Sequence, residues 1–244
     1  MFIWDLLTNN VFIFSGDAPC REGLFNLLAF GVALMVALML HEIAHGYAAL
    51  SFGDHTAKLS GRLTLDPTKH FNLLGLLMML LVGFGWANPV PVNPNNFNPQ
   101  KKTLAMVSVS LAGVVTNLVL AFFSTALLVL VYMTRWGMEL STNNPYVWQF
   151  LIMLGYLMMS LNVSFALFNL LPLFPLDGFR LISCFVPEYN KVLLFLRRYS
   201  FYIIIACVFL GNLGFSPISW YVNTVGNWLI GGFIDFWSWL LIGG

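Results

Sequence analysis

Long stretches of this chain contain no charged residue, and this feature constrains its fold more than any other. Asp, Glu, Lys and Arg are absent from five stretches of 18 to 37 residues, at 23–40, 71–100, 103–134, 140–176 and 199–234. A helix needs about 20 apolar residues to cross a bilayer. Only 9% of the chain is charged, against about 25% in soluble domains. A polytopic membrane protein is therefore indicated, and the net charge of +1 gives no reason to expect a nucleic-acid partner.

The arrangement of these stretches predicts an all-α polytopic membrane protein with about five to six transmembrane helices. The predicted helices are 23–52, 103–133, 146 to about 185, 192–213 and a C-terminal helix near 227–242. We expect one domain over 1–244, with a core at about 23–185 and C-terminal helices at 192–242, and no signal peptide. Between the first two core helices lies a Gly-rich segment, 71–87, that leads into 88–94. Three prolines exclude helix from 88–94.

The basic residues bear on whether segment 71–87 crosses the membrane or re-enters it. If it re-enters, nine basic residues share one face and two lie on the other. If it crosses, the division is four against seven. The positive-inside rule favours nine against two, so we interpret the segment as re-entrant in a multi-pass protein of the cell membrane. The nine residues of the predicted cytoplasmic face are Lys58, Arg62, Lys69, Lys101, Lys102, Arg180, Lys191, Arg197 and Arg198.

The first predicted helix contains the sequence His-Glu-Ile-Ala-His at positions 41–45. Residues at i and i+4 share one helix face, so His41 and His45 are spaced to bind one zinc ion. Glu42 stands beside the first ligand, where a carboxylate takes a proton from activated water instead of binding the metal. The motif is short and also occurs by chance. A charge inside a membrane helix, however, costs at least about 2.5–3.5 kcal/mol, which favours a functional reading.

A catalytic zinc site needs a third protein ligand and an open fourth position. His55 and His70 flank the loop after the first helix, but Asp177 is the stronger candidate. Pro172 and Pro175 precede it and must disrupt the helix there. Irregular backbone at membrane depth is tolerated where it is buried in protein or lines a cavity. The alternative is an interfacial Asp177 paired with Arg180 at i+3. Asp177 and His41 reach the same, cytoplasmic side of the membrane only if segment 71–87 re-enters.

These motifs, in this order, resemble the site-2 protease family of intramembrane zinc metalloproteases, in its compact bacterial type without PDZ or CBS domains. The motifs are His-Glu-Ile-Ala-His at 41–45, the sequence from Lys to Pro at 58–67, Gly-Trp-Ala-Asn-Pro-Val-Pro-Val-Asn-Pro at 85–94, Ser-Leu-Ala-Gly at 110–113 with Asn117, and Asn-Leu-Leu-Pro through Leu-Asp-Gly at 169–178. The resemblance implies that His41, His45 and Asp177 bind Zn²⁺ and that Glu42 is the catalytic base. It also implies that Asn169 lies near the scissile peptide.

Several other polar residues are candidates for binding substrate or for joining helices. Asn162 and Asn169 share one face of their helix and are candidates to bind substrate or stabilise an oxyanion, although Asn also joins helices in membranes. We interpret Asn117 as such a helix-joining residue. Residues 85–94 either present a strand edge to an unwound substrate or form a turn. Asp235 has no assigned chemical role.

The predicted function is zinc-dependent cleavage of peptide bonds in membrane-spanning protein substrates. One alternative is a membrane-embedded protein that binds or transports metal without proteolysis, because intramembrane His and Asp also line ion pathways. Another is an adaptor that holds transmembrane segments without cutting them. Glu42 and the helix break distinguish the protease from metal transport, which has no need of a non-ligand Glu beside the first His. Substrate binding to the metal-free protein without product would instead indicate the adaptor.

Overall fold

The structure, a computed structural model, describes residues 20–70, 88–212 and 216–243. These residues form helices, turns and loops, and no strand occurs among them. Segment 71–87, interpreted above as re-entrant, lies outside the described residues. In chain order the α-helices are α1 (Cys20–Ser51), α2 (Thr56–Leu59), α3 (Pro67–His70), α4 (Lys102–Met133), α5 (Arg135–Asn143), α6 (Pro145–Asn169), α7 (Asp177–Ser183), α8 (Lys191–Asn212) and α9 (Pro217–Ser238).

Five of the described helices, namely α1, α4, α6, α8 and α9, are long and apolar enough to cross a membrane. The apolar part of α1, Phe25–Ser51, has 27 residues, or about 40 Å at 1.5 Å per residue. The hydrocarbon core of a bilayer is about 30 Å thick. Many large apolar side chains of these helices are exposed, such as Phe123, Phe209 and Trp228. The predicted all-α polytopic membrane fold is confirmed.

The predicted helix 146–185 is two helices in the structure. Helix α6 ends at Asn169, the chain turns through 170–176, and α7 begins at Asp177. The prolines explain the break, because Pro172 and Pro175 have no backbone N–H and disfavour helical conformation in the residue before them. The sequence predicted a disruption at these prolines but not that the helix would end before them.

The start of α9 and the presence of α5 also differ from the prediction. Helix α9 begins at Pro217, ten residues before the predicted start, and proline is favoured in the first turn of a helix. Helix α5 was not predicted. Its N-cap residue, Thr134, accepts a hydrogen bond from the backbone N–H of Gly137, which satisfies one of the free donors at a helix start.

The chain divides into two compact units, each made of separate stretches. One unit comprises residues up to Ala37, Leu118–Ser164 and Ser219–Gly244. Within it the indole N–H groups of Trp148 and Trp237 donate to backbone carbonyls of α4. The other unit comprises Leu38–Asn117 and Phe165–Ile218. This second unit contains the His-Glu-Ile-Ala-His sequence, the start of α4 and the whole of α7.

Candidate metal centre

Two buried histidines on α1 form the base of the candidate site. His41 is 6% exposed and His45 is 3% exposed. Their spacing of four residues places them on one side of the helix, and their Nε2 atoms lie 3.1 Å apart. The structure therefore brings together the two histidine side chains that the sequence places on one helix face.

Asp177 is brought to the same point by the turn between α6 and α7. Its Oδ2 atom lies 3.1 Å from the Nε2 atoms of both His41 and His45. The position depends on Gly178, because a Cβ atom there would lie 2.2 Å from the backbone oxygen of Leu170. A residue with a side chain would therefore push the start of α7 away from the turn.

The three side chains fit a zinc ion. Ligand atoms about 2.0–2.1 Å from a tetrahedrally coordinated zinc are about 3.3 Å from one another, close to the 3.1 Å found for each of the three pairs. The Nδ1 atoms of His41 and His45 face the oxygens of Asn117 and Val109. Both Nδ1 atoms therefore carry the proton when the rings are neutral, and both Nε2 atoms present lone pairs. Two lone pairs and a carboxylate oxygen at this separation repel one another unless a cation lies between them.

The alternative partner for Asp177 is also present but more distant. The Nη1 atom of Arg180 lies 3.7 Å from Oδ1 of Asp177, and Arg180 is about half exposed. Asp177 itself is 5% exposed. Among the described residues, His41, His45 and Asp177 are the group whose His, Cys, Asp or Glu atoms come close enough to hold a metal ion.

Glu42 contacts the Pro-rich segment that follows 71–87. The backbone N–H of Val90 donates to Oε2 of Glu42 over 2.8 Å. Val90 is buried, and Gly46 lies beneath it, since a Cβ atom at Gly46 would be 3.0 Å from Cγ1 of Val90. The described part of this segment therefore lies along the side of α1 that carries Glu42.

The Pro-rich segment is held at both of its ends. At one end, Asn88 N–H donates to the carbonyl of His70. At the other, the fully buried carboxylate of Asp54 accepts the backbone N–H of Asn93 and the amide of Asn96. Burial acts to raise the pKa of Asp54, but hydrogen bonds from Thr56, Asn93 and Asn96 outweigh it and hold the pKa below the ordinary value.

The remaining predicted site residues make contacts within their own elements. The side-chain Nδ2 atoms of Asn162 and Asn169 donate to backbone carbonyls one turn earlier in α6. Asn162 is fully buried and Asn169 is partly buried. His55 and His70 bond backbone carbonyls of the loop, and neither belongs to the metal-ligand group.

Asn117 was interpreted from the sequence as a residue that joins helices, and in the structure it does join α4 to α1, through a partner that the sequence did not identify. Its Oδ1 atom lies 3.1 Å from Nδ1 of His41. Gly113, one turn earlier on α4, also faces the His41 ring. The sequence indicates that Gly113 and Asn117 lie on one side of an apolar helix, because they are four residues apart. It does not indicate which helix they contact.

Comparisons with known proteins show which sequences this chain is similar to. The profile of Peptidase family M50 matches residues 29–211. Of the similar curated proteins, each named a putative zinc metalloprotease, YwhC of Bacillus subtilis is 42% identical over 197 residues, which are 80% of this chain and 86% of YwhC. Rip2 of Mycolicibacterium smegmatis is 29% identical, with 88% of this chain and 82% of Rip2 covered. Rip2 of Mycobacterium tuberculosis is 30% identical, with 86% and 72% covered. No solved structure matches the chain significantly.

Proposed function

The chain belongs to peptidase family M50 and is a zinc metallopeptidase, and from this premise we propose that it cleaves peptide bonds within membrane-spanning segments of other proteins. His41, His45 and Asp177 hold the zinc ion, and Glu42 is the general base. The observation that carries the proposal is the set of three buried ligand atoms, each 3.1 Å from the other two. Two of them belong to a helix that is long and apolar enough to span a membrane.

Glu42 moves the protons of the reaction. When bound, zinc supplies Lewis-acid chemistry that activates water at neutral pH and polarises a carbonyl group. Glu42 accepts the proton of the attacking water on a carboxylate oxygen and delivers it to the nitrogen of the leaving amine. Val90 N–H holds one carboxylate oxygen of Glu42, which leaves the other oxygen to take the proton.

Asn169 and Asn162 are proposed to bind substrate. An amide NH₂ group has two N–H donors, and each of these residues uses one on its own helix. The second donor of Asn169, which is partly exposed, is available to a substrate carbonyl or to the oxyanion that forms from it.

Cleavage within the membrane is supported by the depth of the site. His41 lies ten residues before the end of α1 at Ser51, about 15 Å along the helix axis. A helical substrate has no free carbonyl, so it must unwind before it reaches Glu42. The Pro-rich segment at 88–93 is in position to pair with the unwound strand. Because Asn88, Val90 and Asn93 already use their N–H groups, this pairing relies mostly on carbonyl oxygens.

The orientation of the protein is also part of the proposal. The basic residues predict that α1 ends at the cytoplasmic side of the cell membrane. The metal centre would then open toward the cytoplasm, and lipid and a membrane-spanning substrate would be its partners.

The test compares the full chain with Glu42→Gln, and Glu139→Gln, at an exposed position on α5, serves as the matched control. Each form is produced in cells, zinc in the purified protein is measured by elemental analysis, and membrane-protein fragments are identified by mass spectrometry. We expect equal zinc in all three forms. Fragments with ends inside transmembrane segments should appear with the wild type and Glu139→Gln, and should fall by about 10²–10⁴-fold with Glu42→Gln.

Three results would contradict the proposal. Equal fragments from the wild type and Glu42→Gln would remove the role of Glu42. Fragment ends that lie only in soluble loops would remove the intramembrane site of cleavage. Zinc flux across proteoliposomes that persists in Glu42→Gln, with no fragments from any form, would favour metal transport instead.

A further inference from the structure

One face of α4 contacts both histidines of the metal centre. Val109, Gly113 and Asn117 are spaced four residues apart, so they lie along one side of the helix. The backbone oxygen of Val109 lies 2.7 Å from Nδ1 of His45. Two turns later, Oδ1 of Asn117 lies 3.1 Å from Nδ1 of His41.

Gly113 allows this close approach. A Cβ atom at Gly113 would lie 2.5–2.6 Å from three ring atoms of His41, Cε1, Nδ1 and Nε2. Contacts this short force a shift of the ring or of the helix. The absence of a side chain at Gly113 therefore brings the Asn117 side chain within hydrogen-bond distance of His41.

The burial of Asn117 lowers the stability of the folded protein unless its side chain makes hydrogen bonds. Asn117 is fully buried, and its Nδ2 atom has no hydrogen-bond partner among the described residues. A buried donor left unsatisfied destabilises the folded protein, and a Leu of similar size would avoid that cost. The bond that Asn117 does make, from Nδ1–H of His41 to Oδ1, is the one that a Leu would lose.

We propose that Asn117 is a positioning residue for His41, which fixes the ring orientation and holds the proton on Nδ1 so that Nε2 presents its lone pair to the metal. This inference rests on the proposed function, in which His41 is a zinc ligand. The hydrogen bond on the far nitrogen of a metal-ligating His sets its tautomer and rotation. Loss of such an outer partner typically weakens metal binding about 10–100-fold.

The test measures zinc affinity, not proteolysis, on the purified full-length chain in competition with a chelator. We expect Asn117→Leu to weaken zinc binding about 10–100-fold. Asn117→Asp keeps an acceptor oxygen, so its zinc affinity should be higher than that of Asn117→Leu and close to that of the wild type. Gly113→Ala should also weaken zinc binding, because its methyl group displaces the His41 ring. The matched control is Thr125→Val, which removes another fully buried polar group from α4, and it should leave zinc affinity unchanged.

Two further measurements separate positioning from a general effect on folding. The first is the visible absorption spectrum of the chain loaded with Co²⁺ in place of zinc, which should differ between Asn117→Leu and the wild type but not between Thr125→Val and the wild type. The second is a double-mutant cycle. In a His41→Ala background, Asn117→Leu should cause no further loss of zinc affinity, because the residue through which Asn117 acts is absent.

The outcomes keep the two proposals apart. If His41→Ala binds zinc as the wild type does, the ligand assignment under the proposed function fails. If His41→Ala loses affinity while Asn117→Leu and Gly113→Ala keep wild-type affinity and the wild-type cobalt spectrum, the positioning role alone is overturned. If Asn117→Leu does not accumulate as folded protein, Gly113→Ala and Asn117→Asp decide the matter, and wild-type zinc affinity in Gly113→Ala overturns the inference.

Discussion

Glu42 and Val90 are joined by a hydrogen bond of 2.8 Å, in which the backbone N–H of Val90 donates to Oε2 of Glu42. This bond connects the residue beside His41, the first proposed zinc ligand, to a segment 48 positions further along the chain. Prolines at 89 and 91 flank Val90 and cannot donate, so Val90 supplies the N–H at this point of the segment. The orientation of the proposed base therefore depends on how the Pro-rich segment packs on α1.

Gly46→Ala tests that packing. A Cβ atom at Gly46 would lie 2.5 Å from Cδ2 of Leu63 and 3.0 Å from Cγ1 of Val90. We expect the methyl group to move Val90 away from Glu42, because overpacking of this kind costs about 1–3 kcal/mol. The thermal midpoint of the purified protein should fall, and cleavage should decrease by a larger factor than zinc affinity.

Gly31→Ala is the matched control, because a Cβ atom at Gly31 of the same helix meets no atom within 4 Å. Its thermal midpoint should be equal to or above that of the wild type, since Ala favours helix over Gly. If Gly46→Ala matches Gly31→Ala in both midpoint and cleavage, the packing of Val90 does not orient Glu42.

Gly178→Ala should disturb the position of Asp177. The added Cβ atom would lie 2.2 Å from the oxygen of Leu170 and 2.5 Å from that of Leu171. Both are backbone atoms and cannot rotate away as a side chain does. We expect α7 to shift. Zinc affinity, measured by chelator competition, should fall more than about 10-fold, which is the smallest loss typical when a hydrogen-bond partner of a metal ligand is removed.

Gly232→Ala on α9 controls for the substitution itself, since its Cβ atom meets nothing within 4 Å. Zinc affinity in this variant should equal that of the wild type. Unchanged zinc affinity in Gly178→Ala would mean that the 170–176 turn does not determine where Asp177 lies.

Asp54 should contribute stability that depends on pH. Its pKa in the folded protein lies below the ordinary value, so its contribution is complete above the pKa of the unfolded chain and is lost as pH falls through the folded pKa. We expect the thermal midpoint of the wild type to fall below about pH 4. Asp54→Asn replaces an acceptor oxygen with an NH₂ group that faces donors. Its free energy of unfolding at pH 7 should be about 1–3 kcal/mol below that of the wild type.

The acid-induced decrease should also be smaller in Asp54→Asn, because the group that titrates is absent. Glu188→Gln, at an exposed carboxylate, should keep both the midpoint and its pH dependence. A wild-type midpoint for Asp54→Asn at pH 7 would show that the hydrogen bonds to Asn93 and Asn96 add no stability.

Much of the fold was predictable because its signals are local. Charge-free stretches predicted the long helices, and α4 ends at Met133, as expected from 103–133. The prolines predicted a break in this part of the chain, but they did not predict that the helix ends at Asn169. Where the helix ends relative to Pro172 depends on what the turn packs against, and in the structure the turn packs closely against Gly178.

The sequence by itself determined that this is a membrane protein and that His41 and His45 share one helix face, since span length and i, i+4 spacing are properties of short stretches. Only the tertiary structure decided that Asp177 lies 3.1 Å from both histidines, that Asn117 faces His41 and that Val90 binds Glu42. These contacts join residues 48 to 136 positions apart. They depend on how closely the backbones approach, and a single Cβ atom at Gly113, Gly178 or Gly46 would alter that approach.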